Sequence, residues 1–400
     1  MTLPSLALGA LLAVVSTFPA MTLGGPPAVV GMYVVLGALA LAVPRVPVRR
    51  RVLPWLAGTV AVGLVAAFVL GPPSWVPGVG SDRADALDVA LSRLADGLYP
   101  YSGVTYLQNP ITPLPGSLVL AAPFWAVTGH AAWQNPAWTL ALLPVLNGGW
   151  RLHRVPTLLW VLVAVTPEVL REYLVGDDLV TSLVPAVAAA AWVLRARSPL
   201  ALTTGAVALG VATCTRPHLA LVVVIVAVAV ALRGTPGAGR ASRHAGRPTP
   251  SVRRGLAVLG VAAATWAALI VPFLAGGAGR FSPLHVGAKV TGERGLHAGI
   301  VVIALVALGL LVAVLVRLRP RTEAAVGWCC AAVLVAPTVL SAGFWLLVTG
   351  SVLQADLTLG AGAVAFAAGA VAASAVSRGE DRPAPTARGF PARGRRTVGA

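Results

Sequence analysis

The sequence predicts an all-α fold, a polytopic transmembrane helical bundle of about twelve spans. Three observations carry this expectation. Of 400 residues, 57% are hydrophobic and 11% charged. Apolar runs recur along nearly the whole chain, and only helices or closed barrels satisfy their backbone polar groups in lipid. The runs are continuous rather than alternating, which excludes a barrel.

In chain order the candidate spans are roughly 3–20, 27–44, 52–70, 136–150, 155–168, 179–195, 199–214, 217–232, 255–275, 297–316, 325–348 and 357–376. Several fall short of the ~20 residues of a straight span. A further apolar run, 114–129, is placed by charge. The basic loops are 45–51, 151–154, 195–197, 233–254, 317–321 and the C-terminal tail. They share one side, as the positive-inside rule asks, only if 114–129 does not cross. That run therefore reads as a re-entrant or juxtamembrane helix, with Pro115 and Pro123 suiting a short or kinked element. Both termini are then cytoplasmic, and the protein is a multi-pass protein of the cell membrane.

The chain divides into an N-terminal transmembrane hairpin at 1–51 and a transmembrane module at 52–232, whose outer loop is 71–135. A basic cytoplasmic loop at 233–254, a C-terminal transmembrane module at 255–376 and a disordered basic tail at 377–400 complete it. The N-terminus lacks a basic n-region and reads as a first span rather than a cleaved signal. The net charge of +17 does not mark a nucleic-acid binder. Its arginines sit in short loops, and the basic loop and tail are rich in Gly, Pro and Ser without interleaved aromatics. Anionic lipid is the better partner for them. Cys214, Cys329 and Cys330 all fall in apolar runs, where buried packing explains them.

On this topology the outer face collects Asp82, Asp85, Asp88, Asp96, Glu168, Glu172, Asp177, Asp178, Glu293 and Asp356, leaving Glu323, Glu380 and Asp381 inside. Acidic residues contribute little to topology, so this gathering has another cause. From Asp82 to Leu98, Leu87, Leu91, Leu94 and Leu98 recur at i, i+4, i+7 and i+11. That is an amphipathic helix on the outer membrane surface, with Asp82, Asp85 and Asp96 opposite the stripe and Asp88 at its edge. These acids either form a solvated face or line a cavity. Tyr99-Pro100-Tyr101, Gln108-Asn109-Pro110, Pro113 and Pro115 then form a stiff extended loop. Its rings and amides suit a sugar, or the tyrosines anchor the interface. Asp177 and Asp178 open the next span, as helix caps or as site residues. Arg216 and His218 sit at a tight tip, where an arginine at membrane depth needs a partner. Lys289 and Arg294 offer cations to a phosphate, in a loop that solvation alone also explains.

An Asp followed some fifteen residues later by G-x-x-P-Y, then N-P-x-x-P-x-P-G leading into an apolar run, resembles the first outer loop of GT-C superfamily glycosyltransferases. The actinobacterial polyprenol-phosphate-mannose-dependent mannosyltransferase-like proteins are the most similar group. The residues are Asp82, Gly97, Pro100, Tyr101, Asn109, Pro110, Pro113, Pro115 and Gly116. Gly176 to Leu179 resembles the second acidic loop, and Arg216-Pro217-His218 an Arg-Pro element; together the resemblance covers roughly 52–232. Unlike the family's usual arrangement, two spans precede the hairpin that leads to the first acidic loop.

The resemblance implies an inverting transfer of a hexose, mannose by preference. The donor is a polyprenyl-phosphate sugar and the acceptor a lipid or glycan outside the membrane. Asp82 or Asp85 is the general base. Arg83, Tyr99, Tyr101, Asn109, Asp177, Asp178, Arg216, His218, Lys289 and Arg294 hold substrate, with the cations on the phosphate. No metal site is implied, although a divalent cation is compatible. Two other functions share the composition. A transporter or flippase of lipid-linked or small solutes would place ionisable groups mid-span and often shows inverted repeats; the spans carry almost none and no repeat is visible. A non-catalytic envelope-assembly protein would keep the fold without a working site.

Overall fold

The structure, a computed structural model, describes residues 2–71, 81–178, 181–233, 251–285, 309, 311, 313–315, 317–349 and 361–378. Among these residues the protein is all-α, with one isolated bridge between Val104 and Pro110. The elements are α1 (Thr2–Val15), α2 (Thr17–Ala42), α3 (Leu53–Leu70), α4 (Asp82–Ala95), α5 (Pro115–Thr128), α6 (Gln134–Asn147) and α7 (Arg154–Ala164). They continue as α8 (Pro167–Val175), α9 (Val184–Arg195), α10 (Pro199–Thr213), α11 (Ala220–Arg233), α12 (Val252–Ala275), α13 (Glu323–Thr349) and α14 (Ala361–Ser377). Lys289 and Arg294 lie outside the described residues, as do most of the basic loop, most of the tail and most of the expected span 297–316.

Among the described residues three helical segments are long and apolar enough to cross a membrane: Gly24–Ala42, Arg50–Leu70 and Val252–Ala275. This falls short of the expected count of spans. The other apolar runs form shorter helices of 10–17 residues among the described residues. The chain's own punctuation shortens them. Pro167, Pro185 and Pro199 each sit in a first helical turn, where the missing N–H costs nothing. Gly148 closes α6 in the left-handed conformation at φ 68°. A run that reads as one hydrophobic stretch is thus cut to less than its apolar length.

The long helices lie at the periphery, with only 11–22% of each segment buried. Trp55, Leu70 and Val34 are exposed there. The shorter helices form the interior. The Ala/Gly-rich α14 lies at its centre, packed on α13, α7, α1, α6 and α9, with Ala363 to Ala368 buried. Small side chains let helix backbones approach closely where packing must hold helices together.

The two ends of the bundle are chemically distinct. At one end arginines satisfy carbonyls that helix termini leave open. Arg154 donates to Val46 O at 2.7 Å and Pro44 O at 3.1 Å. Arg233 donates to Leu194 O at 3.1 Å and Arg321 O at 2.8 Å, and Arg254 to Ala196 O at 3.0 Å. The other end carries α4, α8 and the acids. Both ends of α5 lie there. Gly116 N donates to Cys214 O at 2.9 Å, and Ala131 N, just past α5, donates to Asp88 Oδ1 at 2.6 Å. Residues at both ends of α5 are thus tied to the acidic end.

The start of α5 is fitted tightly. A Cβ on Gly116 would lie 2.4 Å from Val211 O and 2.5 Å from Cys214 O. Backbone cannot step aside as a flexible side chain can. Gly116→Ala is expected to lower stability by about 1–3 kcal/mol or more, read as a fall in the melting temperature of the detergent-solubilised protein. Gly58→Ala, which meets nothing within 4 Å, should not lower it.

Candidate active site

The acidic end is assembled around α4. Ser81 caps it, its Oγ accepting from Arg83 N at 3.3 Å. Leu87 and Leu91 are buried, each contributing about 1.5–3 kcal/mol of apolar burial, against a cluster that includes Tyr101, Ile111, Leu118 and Phe281. This corrects the expectation of a helix whose leucine stripe rests on the membrane surface. The proline-rich loop and α5 fold against its first half, while Leu94 and Leu98 at its far end stay exposed.

Three successive acids of α4 hold the chain packed on it, Asp82 and Asp85 the proline-rich loop and Asp88 the turn after α5. Asp82 Oδ2 accepts from Asn109 Nδ2 at 2.7 Å and Thr105 Oγ1 at 3.2 Å. Asp85 Oδ2 accepts from Tyr106 N at 2.7 Å. Asp88 uses both oxygens, Oδ1 for Ala131 N and Oδ2 for His130 Nδ1 at 3.3 Å. Burial pushes the Asp88 carboxyl above its ordinary value, against the opposing pull of Ala131 N–H and His130. The loop tip turns tightly, with Thr105 N on Asn109 O at 2.8 Å and Gln108 at φ 60°.

A second group of charges joins α4 to the interior. Asp177 lies between two arginines: Arg83 Nε at 3.6 Å and Arg171 Nη2 at 3.2 Å. Arg171 also holds the fully buried Glu168 at 2.6 Å. Asp178 Oδ1 takes Arg216 Nη2 at 2.6 Å. Asn135 Nδ2 donates to Asp177 O at 2.7 Å, and Ser81 N to Val175 O at 2.7 Å. Asp177 and Asp178 thus serve ion pairs; their side chains do not cap α9, whose N-cap is Leu183. Arg216 Nε is buried without a hydrogen-bond partner among the described residues, and half-buried His218 follows two residues on.

The structure brings Asp82, Asp85, Arg83, Asn109, Asp177, Asp178, Arg216 and His218 to one end of the bundle. The tyrosines are built into it differently. Tyr99 OH donates to Phe273 O at 2.9 Å. Tyr101 is buried, its ring at 4.8 Å from Phe281 and 5.4 Å from Phe273, and burial pushes its phenol well above the usual range. Its ring packs the cap and offers no open face. The sequence reading did not single out Thr105, His130, Asn135 or Arg171, and it counted Glu168 only among the outer acids. Glu168 and Arg171 left a signal, an acid and an arginine three apart in Pro167–Val175.

Beside the acids opens a cleft of about 720 Å³, lined by Asp85, Asp88, Ser92, Arg93, Trp125 and His130 among others. Among the described residues no group of three or more His, Cys, Asp or Glu is placed to hold a metal ion. Compared with protein-family models, with curated proteins and with solved structures, the chain finds no match in any of the three.

Removing Arg171 would leave Glu168 charged and buried. Arg171→Met is expected to cost about 3–5 kcal/mol, and Arg171→Met with Glu168→Gln distinctly less; thermal unfolding in detergent checks both. Asp88 gives a pH-dependent counterpart. Its folded pKa is raised, so its contribution is present below the ordinary value of 3.8 and is lost as pH rises through the folded value. In a His130→Gln background, Asp88→Asn should match or exceed the parent in melting temperature at neutral pH. That advantage should shrink as pH falls toward the ordinary carboxylate value.

Proposed function

We propose that this chain is a polytopic membrane glycosyltransferase of GT-C type, with about twelve spans, cytoplasmic termini and its acidic end outside. It moves a hexose, mannose by preference, from a polyprenyl phosphate to a lipid or glycan acceptor. The membrane reading rests on the apolar exposure of α2, α3 and α12, since soluble proteins rarely expose contiguous apolar patches of such extent. The short interior helices are compatible with it. At 1.5 Å per residue a helix such as 217–233 reaches about 25 Å. The remaining few ångströms to a ~30 Å core are met by flanking turns, snorkelling arginines and local thinning. A surface or re-entrant α5 is supported by the bonds that tie residues at each of its ends to the acidic end.

The observation that carries the enzymatic reading is the setting of Asp82. Both of its donors converge on Oδ2, which fixes the carboxylate and leaves Oδ1 to take a proton. Next to it in the chain Arg83 pairs with Asp177, and one turn on Asp85 lines the cleft. In this scheme Asp82 Oδ1 accepts the proton of an acceptor hydroxyl. The hydroxyl oxygen bonds to the anomeric carbon from the face opposite the phosphate. The carbon–oxygen bond to the phosphate breaks, configuration inverts, and polyprenyl phosphate leaves. Arg216, held by Asp178, meets the charge that develops on the phosphate; Lys289 and Arg294 are further candidates for this role. Asp85, Asp88 and Trp125 offer the acceptor sugar carboxylates and an aromatic face.

Membranes containing the protein are expected to form a new glycosylated product from radiolabelled polyprenyl-phosphate-mannose. Asp82→Asn keeps the shape and should lower the rate by about 10²–10⁴-fold at equal protein level, with Asp85→Asn less affected. A fully active Asp82→Asn would remove Asp82 as the base. No product from wild type across several polyprenyl donors and acceptors would overturn the glycosyltransferase reading.

A further inference from the structure

The cleft beside α4 is longer, and carries more charge, than one reacting hydroxyl needs. Asp85, Asp88, Ser92 and Arg93 belong to its α4 wall, at i, i+3, i+7 and i+8. They share one helix face, and Asp82 lies on that face one turn earlier. From Asp85 to Arg93 the wall runs about 12 Å at 1.5 Å per residue. Ser102 and Trp125 line the same space from the loop and from α5. Arg93 is built in at the far end. Its Nε donates to Tyr99 O at 3.1 Å and its Nη2 to Ser102 Oγ at 2.6 Å, while Ser102 Oγ donates to Tyr99 O at 2.8 Å. Its stem lies close against Gly103, where a Cβ would come within 2.9 Å of Arg93 Cδ. These partners are neutral, and among the described residues no carboxylate pairs with Arg93. At the near end Asp85 is bonded through Oδ2, to Tyr106 N at 2.7 Å. One cleft thus holds a guanidinium and a carboxylate two turns apart, each fixed by neutral groups.

That arrangement selects a neutral polar ligand. A simple anion drawn to Arg93 meets Asp85 and Asp88 in the same cleft, and a simple cation drawn to the acids meets Arg93. A compact zwitterion does not span two helix turns. A polyol does, because each of its hydroxyls both donates and accepts. Its hydroxyls donate to Asp85 and accept from Arg93, bonds that a charged partner strengthens. Trp125 gives the apolar face of a sugar ring a surface to pack on. One pyranose covers roughly half of the wall's length, and two cover it. We propose that this cleft binds a glycan of at least two sugar units, one over Asp85 and the next at Ser92 and Arg93. In the scheme above the acceptor is then a glycan, its reacting unit beside Asp82, and Arg93 is a specificity-determining residue. The role of acceptor rests on the transferase reading; the binding of the glycan does not.

The test uses the purified full chain in phospholipid nanodiscs, free of sugar-headed detergent and without donor. Methyl hexosides and the matching disaccharides of mannose, glucose and galactose are titrated by saturation-transfer NMR. Wild type should bind at least one disaccharide about tenfold more tightly than its methyl hexoside. Ser92→Leu, at an exposed position of α4, should remove that gain and leave the methyl hexoside bound as before. Arg93→Met, which keeps the stem and removes the fork, should do the same. A loss shared equally by both ligands in Arg93→Met would make the arginine merely structural and overturn its role. Equal affinity for one and two sugar units, or a gain that survives in both folded variants, would overturn the proposal. Displacement of the disaccharide by inorganic phosphate would also overturn it, by making Arg93 a free-anion site. Disaccharide binding without sugar transfer would leave it standing and remove the transferase reading. Transfer to a lipid acceptor with no glycan bound would do the reverse.

Discussion

The acidic end depends on one knot of charge at the turn that follows α8. Asp177 is held by Arg83 and Arg171, Asp178 by Arg216, and the Asp177 carbonyl by Asn135. These contacts join four parts of the chain: the start of α4, α8 itself, the start of α6 and the tip between α10 and α11. None of these segments is long, and α8 has only nine residues. A helix that short is not stable alone. Burying Glu168 and Asp177 is favourable only while their arginines are present, since a charge taken from water needs a partner and hydrogen bonds to offset its desolvation. The knot is thus a condition of the local fold as well as its product. If one ion is lost, those left behind are uncompensated.

The contrast between the two ends has a common cause in the backbone. Every helix that stops in an apolar setting leaves carbonyls at its C-terminus and amides at its N-terminus. At the basic end the carbonyls of α2, α9 and the segments after them are met by Arg154, Arg233 and Arg254. At the acidic end, amides in the loops are met by Asp85 and Asp88. The arginine bias therefore has a meaning within the fold itself: it completes hydrogen bonding at the ends of helices. Cation-to-carbonyl bonds and carboxylate-to-amide bonds are charge-assisted and stronger than neutral ones.

The all-α class and the gathering of acids at one end were legible in the sequence because both are written in composition and position. Asp82, Asp85, Arg216 and Asp178 could be singled out for the same reason: each is a charge beside an apolar run. The number of full-length spans was less legible. Hydrophobicity continues through residues such as Val165 and Thr166, where the helix has already ended before Pro167. The partners of the acids were illegible. Asp88 meets His130 across 42 residues, and Arg216 meets Asp178 across 38. Tyr101 illustrates the limit best. Its place in a polar loop suggested an open ring, and only the packing of Phe273 and Phe281 from the far side of α12 shows that the ring is core.

The acids of α4 also separate by the way they are bonded. Carboxylates in a first turn are favoured by the helix dipole, and a loop clamp needs no further reason for them. A clamp gains most when both oxygens are engaged, and Asp88 is bonded in that way, to Ala131 and His130. Asp82 is bonded otherwise: two side-chain donors share Oδ2, although Oδ1 would accept one of them. Asp85 likewise gives Oδ2 to Tyr106. An orientation fixed through one oxygen is the arrangement a general base requires, because the other must point at a proton that arrives with the substrate. Asp85 looks onto the cleft, and Asp82 stands a turn nearer the arginines. Asp82 and Asp85 thus share the one-oxygen arrangement, and Asp88 does not.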